Sequence, residues 1–333
     1  MESSNASPSA FGWDFQSNAA IVLMLTNINV ASSVKVEGIE DIEVVLNTGD
    51  RIFSQSKSVS NPYDDFSNVL TNLKDGLRTL NNSSKLSGVK NLIYITNTPN
   101  PFSNQKTMGA FNNSFNMLTY EELPEACKNK IDDICAKEQY SFNKELFSVC
   151  VVQFYGNPKS RNRYGAIKDR VNEFLQSVDL GDIGLGEEIL KIWQRDFFVD
   201  ATSPTSKISK EDMIWPLIVT ICKIDRGDAV VADCDDGDFD EIKKRYSQVI
   251  FNSSERFEFV SKVLSAYTEY QPSLNYKEKT ESFISNCWVD YMQEFDLPNT
   301  HEDTIEKVVK LAISNVIKRR HKILQIKKGV GLS

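Results

Sequence analysis

The sequence predicts a mixed α/β domain followed by an all-helical region. Three observations carry that expectation: two extended runs joined by a Gly-containing turn near residue 50, a nearly all-apolar segment at 91–96, and the takeover of helical spacing after Gly156. With 333 residues, the chain is long enough for one large domain or two modest ones, and for a core that needs neither metal nor disulfide staples.

Residues 1–10 are rich in Ser and Asn and are expected to form a flexible tail. From Phe11 onward, Phe15, Ala19, Val22, Leu23 and Thr26 share one face of a helix. A strand follows at 34–37. The runs 41–46 and 51–57, joined by Asn47, Thr48, Gly49 and Asp50, read as a β-hairpin. Phe66, Val69, Leu70, Leu73, Leu77 and Leu80 repeat at 3/4 spacing and predict an amphipathic helix, with Lys74 and Arg78 off its apolar face. Residues 91–96 form a strand closed by Asn97, Pro99 and Pro101, and after a polar stretch a further strand is expected at 146–154. Helical patterns then occupy 166–178, 187–197, 210–222, 257–267, 280–295 and 304–323. The expected organisation is a tail at 1–10, an α/β domain at 11–156 and a helical region at 157–333 used for assembly or partner binding.

Composition excludes several classes of function. The formal charge of −8 argues against a non-specific nucleic-acid coat and leaves only local basic patches. The two histidines, His301 and His321, cannot supply a His-rich metal centre and give a Ser-His-Asp triad little to work with. No pair among the six cysteines has Cys-x-x-Cys spacing, so neither a zinc ribbon nor a redox motif is present. The start lacks a basic leader and the apolar run 19–25 is too short to span a bilayer, so the expectation is a reduced, cytoplasmic protein without membrane contact. The acidic run 233–241 departs from the calcium-loop pattern and reads as an exposed loop. No phosphate-binding loop of the GxxxxGK[ST] form occurs, so any ATP hydrolysis has to come from a partner.

The segment 41–57 carries the chemistry. In a hairpin turning at 47–50, Asp41 lies opposite the end of the partner strand, where Gln55 and Lys57, two residues apart, point to the same side. A carboxylate, an amide oxygen and an ammonium group converge there. Phosphodiester hydrolysis uses such a set: Asp41 and Gln55 are the candidate ligands of Mg²⁺ (or Mn²⁺), a hard cation that prefers oxygen, and Lys57 is the candidate for orienting the nucleophile and stabilising charge on the phosphate. Gln16 on the first helix and Glu37 on the first strand are possible supporting residues. Lys74 and Arg78, with Arg161 and Arg163 after the last strand, are candidate contacts to a DNA backbone. The spacing alone is permissive, since an Asp followed by Gln-x-Lys on the next strand also arises on an ordinary half-exposed hairpin.

Four short motifs in order add to this reading: Gly12-Trp13-Asp14-Phe15-Gln16 with Ala19-Ala20; Val36 to Ile42 containing Asp41; Phe53-Ser54-Gln55-Ser56-Lys57; and Asn91 to Asn97. Together they resemble the PD-(D/E)XK nuclease superfamily, and more closely the double-stranded-DNA endonuclease domain of CBASS effector nucleases. The resemblance is concentrated in residues 11–97. It implies a restriction-endonuclease-like core with a mixed sheet, in which Asp41 is the principal metal-binding acid, Gln55 stands where many relatives carry a second acid, and Lys57 is the catalytic lysine. Gln16 would match the helix-borne polar residue that faces the site. The resembled CBASS effectors carry a cyclic-nucleotide sensor after the nuclease. Here the second half is helical and too short for one, and in this it is similar to effector subunits of Lamassu-type antiphage systems, which pair with an SMC-like ATPase, or to effectors that pair with a HerA-like ATPase. The implied activity is Mg²⁺-dependent cleavage of double-stranded DNA with little sequence specificity, restrained until a partner or self-assembly switches it on. The competing class is a non-catalytic adaptor that uses a nuclease-like fold to bind DNA or a partner ATPase.

Overall fold

The polypeptide enters as a helix, α1 (Ser7–Thr26), starting at Ser7 rather than at Phe11. Pro8 lies in its first turn, where a missing backbone N–H removes no helical hydrogen bond, so the Ser- and Pro-containing start is helical and not tail. In this computed structural model the described residues are 7–62, 67–155, 162–181, 184–203, 206–221, 237, 239–242, 249, 257–272 and 275–332. Residues 1–6 of the expected tail lie outside them. Residues 19–25 of α1 are buried all round, which explains why its sequence is apolar on every side and not only on one face.

Three antiparallel strands follow: β1 (Ala31–Val36), β2 (Ile42–Leu46) and β3 (Arg51–Lys57). Gly49 takes φ +86° in the turn joining β2 to β3, a conformation open to glycine at little cost. Ile42 pairs with Ser54 and Val44 with Ile52, the register expected from the hairpin. Helix α2 (Val69–Ser83) packs Leu73, Leu77 and Leu80 onto the sheet, and β4 (Val89–Thr96) returns parallel to β3. The polar stretch that reads as connection contains a 3-10 turn at Gln105–Phe111, strand β5 (Phe115–Thr119) and helix α3 (Glu125–Glu138). Strand β6 (Phe147–Val152) lies between β4 and β5 and is buried along its whole length, as befits an interior strand covered on both faces.

Helices α4 (Gly165–Ser177) and α5 (Gly186–Ala201) pack on α1, and the short β7 (Ile208–Ser209) pairs with β1. The sheet is seven-stranded and mixed, in the order β5-β6-β4-β3-β2-β1-β7. Alternate residues of β3, β4 and β6, among them Phe53, Tyr94 and Val149, join α2 and α3 in one apolar layer. The opposite set, including Ile52, Ile93 and Cys150, is equally buried on the α1 side.

The chain divides into two compact units, Met1–Lys210 and Glu211–Ser333. The expected boundary at 156 is therefore moved. Helices α4 and α5 complete the cover of α1, so they belong to the first unit, and β7 makes the stretch 157–333 helical but not wholly so. The described part of the second unit is helical: α6 (Lys210–Ile221, beginning at the boundary), α7 (Phe257–Glu269), α8 (Tyr276–Cys287) and α9 (Glu302–Gly329). Instead of one helix over 280–295, α8 starts at an Asn275–Glu278 capping box and passes into a 3-10 segment, Trp288–Glu294. The Arg320 guanidinium of α9 lies over the rings of Tyr267 and Tyr276, tying α9 to α7 and α8. Among the described residues no helix is long and apolar enough to cross a membrane, and Cys127, Cys135, Cys150 and Cys287 are free thiols.

Candidate functional site

The five residues 37–41 that join β1 to β2 are shaped by a bend at Glu37, which takes a left-handed φ of +57°. The Glu37 N–H donates to the Asp41 carbonyl at 2.9 Å and the Gly38 N–H to the Glu40 carbonyl at 3.0 Å, closing a small loop. Gln16 of α1 clamps this loop from outside. Its Nε2 donates to the Asp41 carbonyl at 2.7 Å and to Glu37 Oε1 at 2.9 Å. Gln16 is buried, Glu37 is exposed, and both serve to hold Asp41 in place.

The hairpin register brings Asp41 to the end of β3. Asp41 Oδ2 accepts hydrogen bonds from the Ser56 N–H at 2.8 Å and from Gln55 Nε2. Gln55 and Lys57 lie on the sheet face that carries α2, in register with Tyr94 and Thr96 of β4. Beyond Lys57 the chain is fixed by Asn97, which accepts from the Val59 N–H at 2.9 Å and donates to the carbonyls of Val59 and Phe154, both at 2.8 Å. Asp41, Gln55 and Lys57 are thus gathered at one end of the sheet, with Gln16 and Glu37 beside them.

Two further side chains enter the site. Glu40 turns into the protein, 6% exposed, and accepts a hydrogen bond from Ser83 Oγ of α2. Its pair with Asp41 is visible in the sequence. A strand reading, however, sends neighbouring residues to opposite faces, and only the bend at Glu37 brings Glu40 in as well. Burial raises the Asp41 carboxyl above its ordinary value, offset by the Ser56 hydrogen bond and by the Lys57 charge. Burial likewise raises Glu40, against its Ser83 hydrogen bond, and the Asp41 charge raises it further.

The arrangement leaves particular atoms available. Among the described residues, Asp41 Oδ1 and Gln55 Oε1 accept no hydrogen bond, and Lys57 Nζ makes neither a hydrogen bond nor an ion pair. No three His, Cys, Asp or Glu side chains of the described residues gather closely enough to hold a metal by themselves. The donor chemistry still fits a hard cation. One carboxylate oxygen and one amide oxygen are free at the same strand end, and Mg²⁺ commonly takes one or two protein carboxylates and fills its remaining positions with water and substrate phosphate.

The expected DNA contacts fare unequally. Lys74 pairs with Glu138 of α3 at 2.8 Å and Arg78 with Asp75 at 3.1 Å, both at the exposed surface, where such pairs are weak and readily exchanged. Arg161 lies outside the described residues, as does most of the acidic run 233–241. Arg163 is not a surface contact. It is buried, ion-paired with Asp14 of α1, and its guanidinium sits over the rings of Phe11, Phe154 and Tyr164. An Arg close behind a strand reads as a solvent-facing cation, and only the aromatic cage folded around it makes it structural.

Compared with known protein families, with curated proteins and with solved structures, the chain matches none.

Proposed function

We propose that the chain is a Mg²⁺-dependent DNA endonuclease of the PD-(D/E)XK type, the effector of a bacterial antiphage defence system. The observation that carries this reading is the gathering of Asp41, Gln55 and Lys57 at one end of the sheet, with Asp41 Oδ1, Gln55 Oε1 and Lys57 Nζ unengaged by the described residues. The order helix, three-strand meander, helix and parallel strand, in a mixed sheet, is compatible with a core of that type.

In this reading Asp41 and Gln55 would hold the cation, which when bound would polarise the phosphate and acidify a water. Lys57 orients the attacking water and places its positive charge against the non-bridging phosphate oxygens. Attack of the water oxygen at phosphorus breaks the P–O bond to the leaving deoxyribose oxygen, which takes up a proton released from water. Gln16 keeps the Asp41 backbone from shifting, through its 2.7 Å hydrogen bond to the carbonyl. Lys74 and Arg78 remain the candidate contacts to the duplex backbone. The second unit is assigned to self-assembly and to binding an ATPase partner, SMC-like or HerA-like; a nuclease of low specificity stays unproductive until infection triggers its activation through one of them.

One observation favours a second reading. Gln55 Nε2 and the Ser56 N–H both satisfy Asp41 Oδ2, as they would in a purely structural clasp, and a non-catalytic adaptor binding DNA or the ATPase would need nothing more. Plasmid cleavage in Mg²⁺ and in EDTA separates the two, with wild type and Lys57→Ala at low and high protein concentration and with the ATPase partner present and absent. A nuclease cleaves only as wild type with Mg²⁺, more steeply than linearly in concentration if assembly activates it. Equal cleavage by both proteins refutes the assignment of Lys57. Cleavage by neither under any condition favours the adaptor.

A further inference from the structure

Glu40 is a buried acidic side chain of the site to which the sequence resemblance assigns no role. It is 6% exposed, its Oε1 is held by Ser83 Oγ, and its Oε2 is sealed from solvent with no hydrogen-bond partner among the described residues. Buried polar atoms in folded proteins are nearly always satisfied, and an exception calls for a reason. Burying a carboxylate against an apolar layer without a partner for each oxygen is unfavourable, and an isosteric apolar side chain would fit the same space. The loop around Glu40 is nevertheless strongly determined. Gln16 holds the neighbouring peptide, the Glu40 carbonyl closes onto Gly38, and α2 supplies Ser83 to orient the carboxylate.

Charge points the same way. The Asp41 carboxylate and the Lys57 ammonium group offset one another, and the exposed Glu37, engaged by Gln16, lies beside them. Glu40 stands near enough for its carboxyl to feel both Asp41 and Lys57. Counting it adds a buried negative charge to the set, which favours a divalent cation before a phosphate arrives. Gln55, where many members of the resembled family carry a second acid, contributes only an amide.

We propose that Glu40 supplies the second carboxylate of the site, offering Oε2 to the divalent cation that Asp41 holds, with Ser83 as the residue that positions it. This inference rests on the nuclease reading and deepens it by naming the acid that Gln55 lacks. The ligand concerned is a hard divalent cation, for which Mn²⁺ is the probe.

The test is Mn²⁺ binding to the full chain, without DNA, followed by the electron paramagnetic resonance of free Mn²⁺ and by calorimetry. Wild type is compared with Asp41→Asn, Glu40→Gln and Ser83→Ala, and each variant is also melted thermally. Glu40→Gln keeps an acceptor for Ser83 and preserves shape, so it is expected to fold. The expected result is that Asp41→Asn abolishes binding, Glu40→Gln weakens it roughly tenfold or more, and Ser83→Ala weakens it by less. If wild type binds, Asp41→Asn does not, and Glu40→Gln binds as wild type while melting higher, Glu40 is merely a buried acid. That result overturns this inference and leaves the nuclease reading standing. If wild type binds no Mn²⁺, both fall together.

Discussion

Replacing Gly76 by alanine is expected to destabilise the first unit, against the usual direction of that substitution. In a helix interior alanine is favoured over glycine by about 1 kcal/mol. Gly76 lies inside α2, however, where a Cβ would stand 2.5 Å from Cδ2 and 2.7 Å from Cε2 of Tyr94, a ring fully buried in the layer between α2 and β4. Carbon atoms rest at roughly 3.5–4 Å, so the helix or the ring has to retreat by about 1 Å within a close-packed layer. Overpacking of that kind costs ~1–3 kcal/mol, and a rigid ring met at two atoms belongs near the upper end. After the helix-propensity gain, a net loss of about 2 kcal/mol remains, equivalent to ~4–8 °C in Tm for a unit of this size. Thermal and urea unfolding followed by circular dichroism measure it.

The control lies in the partner residue. In a Tyr94→Phe background the two ring carbons persist and Gly76→Ala should remain destabilising. In a Tyr94→Leu background the ring is gone and the same substitution should become neutral or stabilising. A wild-type background in which Gly76→Ala melts at or above the parent would refute the packing argument. The position matters for the site because Tyr94 is the β4 residue in register with Gln55, so a displaced ring presses on the strand that carries Gln55 and Lys57.

Two further outcomes follow from buried charge. Arg163→Ala should cost on the order of 3 kcal/mol in urea unfolding, since it strands Asp14 and empties the cage of Phe11, Phe154 and Tyr164, while leaving the salt dependence of DNA binding unchanged; an unaltered midpoint with a shallower salt slope would restore Arg163 to the DNA surface. Burial holds the Asp41 carboxyl above its ordinary 3.8, so the folded state binds this proton more tightly than the unfolded chain and stability falls as pH rises from 3.8 through the raised value. Asp41→Asn should therefore melt above wild type at neutral pH in EDTA, with Gln55 turning its amide to suit, and the gap should close as pH falls; a gap of opposite sign, or one independent of pH, contradicts the burial argument.

The legible parts of the fold were those whose signal is local. The β2–β3 hairpin is written in two extended runs joined by the turn at Gly49, and α2 in the spacing of Leu73, Leu77 and Leu80. Helix α3 is hard to read from sequence because its buried stripe is narrow, with Cys127, Ile131 and Cys135 set among charged neighbours. The boundary at Lys210 was illegible for a different reason. Helices α4 and α5 have the same amphipathic pattern whether they cover α1 or build a separate bundle, and only long-range packing decides. At the site, Asp41, Gln55 and Lys57 could be brought together from the turn and the pleat alone. Glu40 could not, because its direction depends on one left-handed residue, Glu37, at which strand alternation stops.

Several buried polar side chains of the first unit are held by sets of bonds that close on themselves. Asn97 spends its amide on three backbone groups, and Asp200 accepts from Ser206 Oγ and the Val36 N–H. These arrangements close on themselves, as structural polar groups do. At the end of β3 the bonding stops short. Asp41 Oδ1, Gln55 Oε1, Glu40 Oε2 and Lys57 Nζ are left without hydrogen bonds from the described residues, although the loop that presents them is held by Gln16 and by α2. In the proposed reading, the loop held by Gln16 and α2 presents Asp41 Oδ1, Gln55 Oε1 and Glu40 Oε2 beside the Lys57 ammonium group, a set that would suit a divalent cation carrying a phosphate.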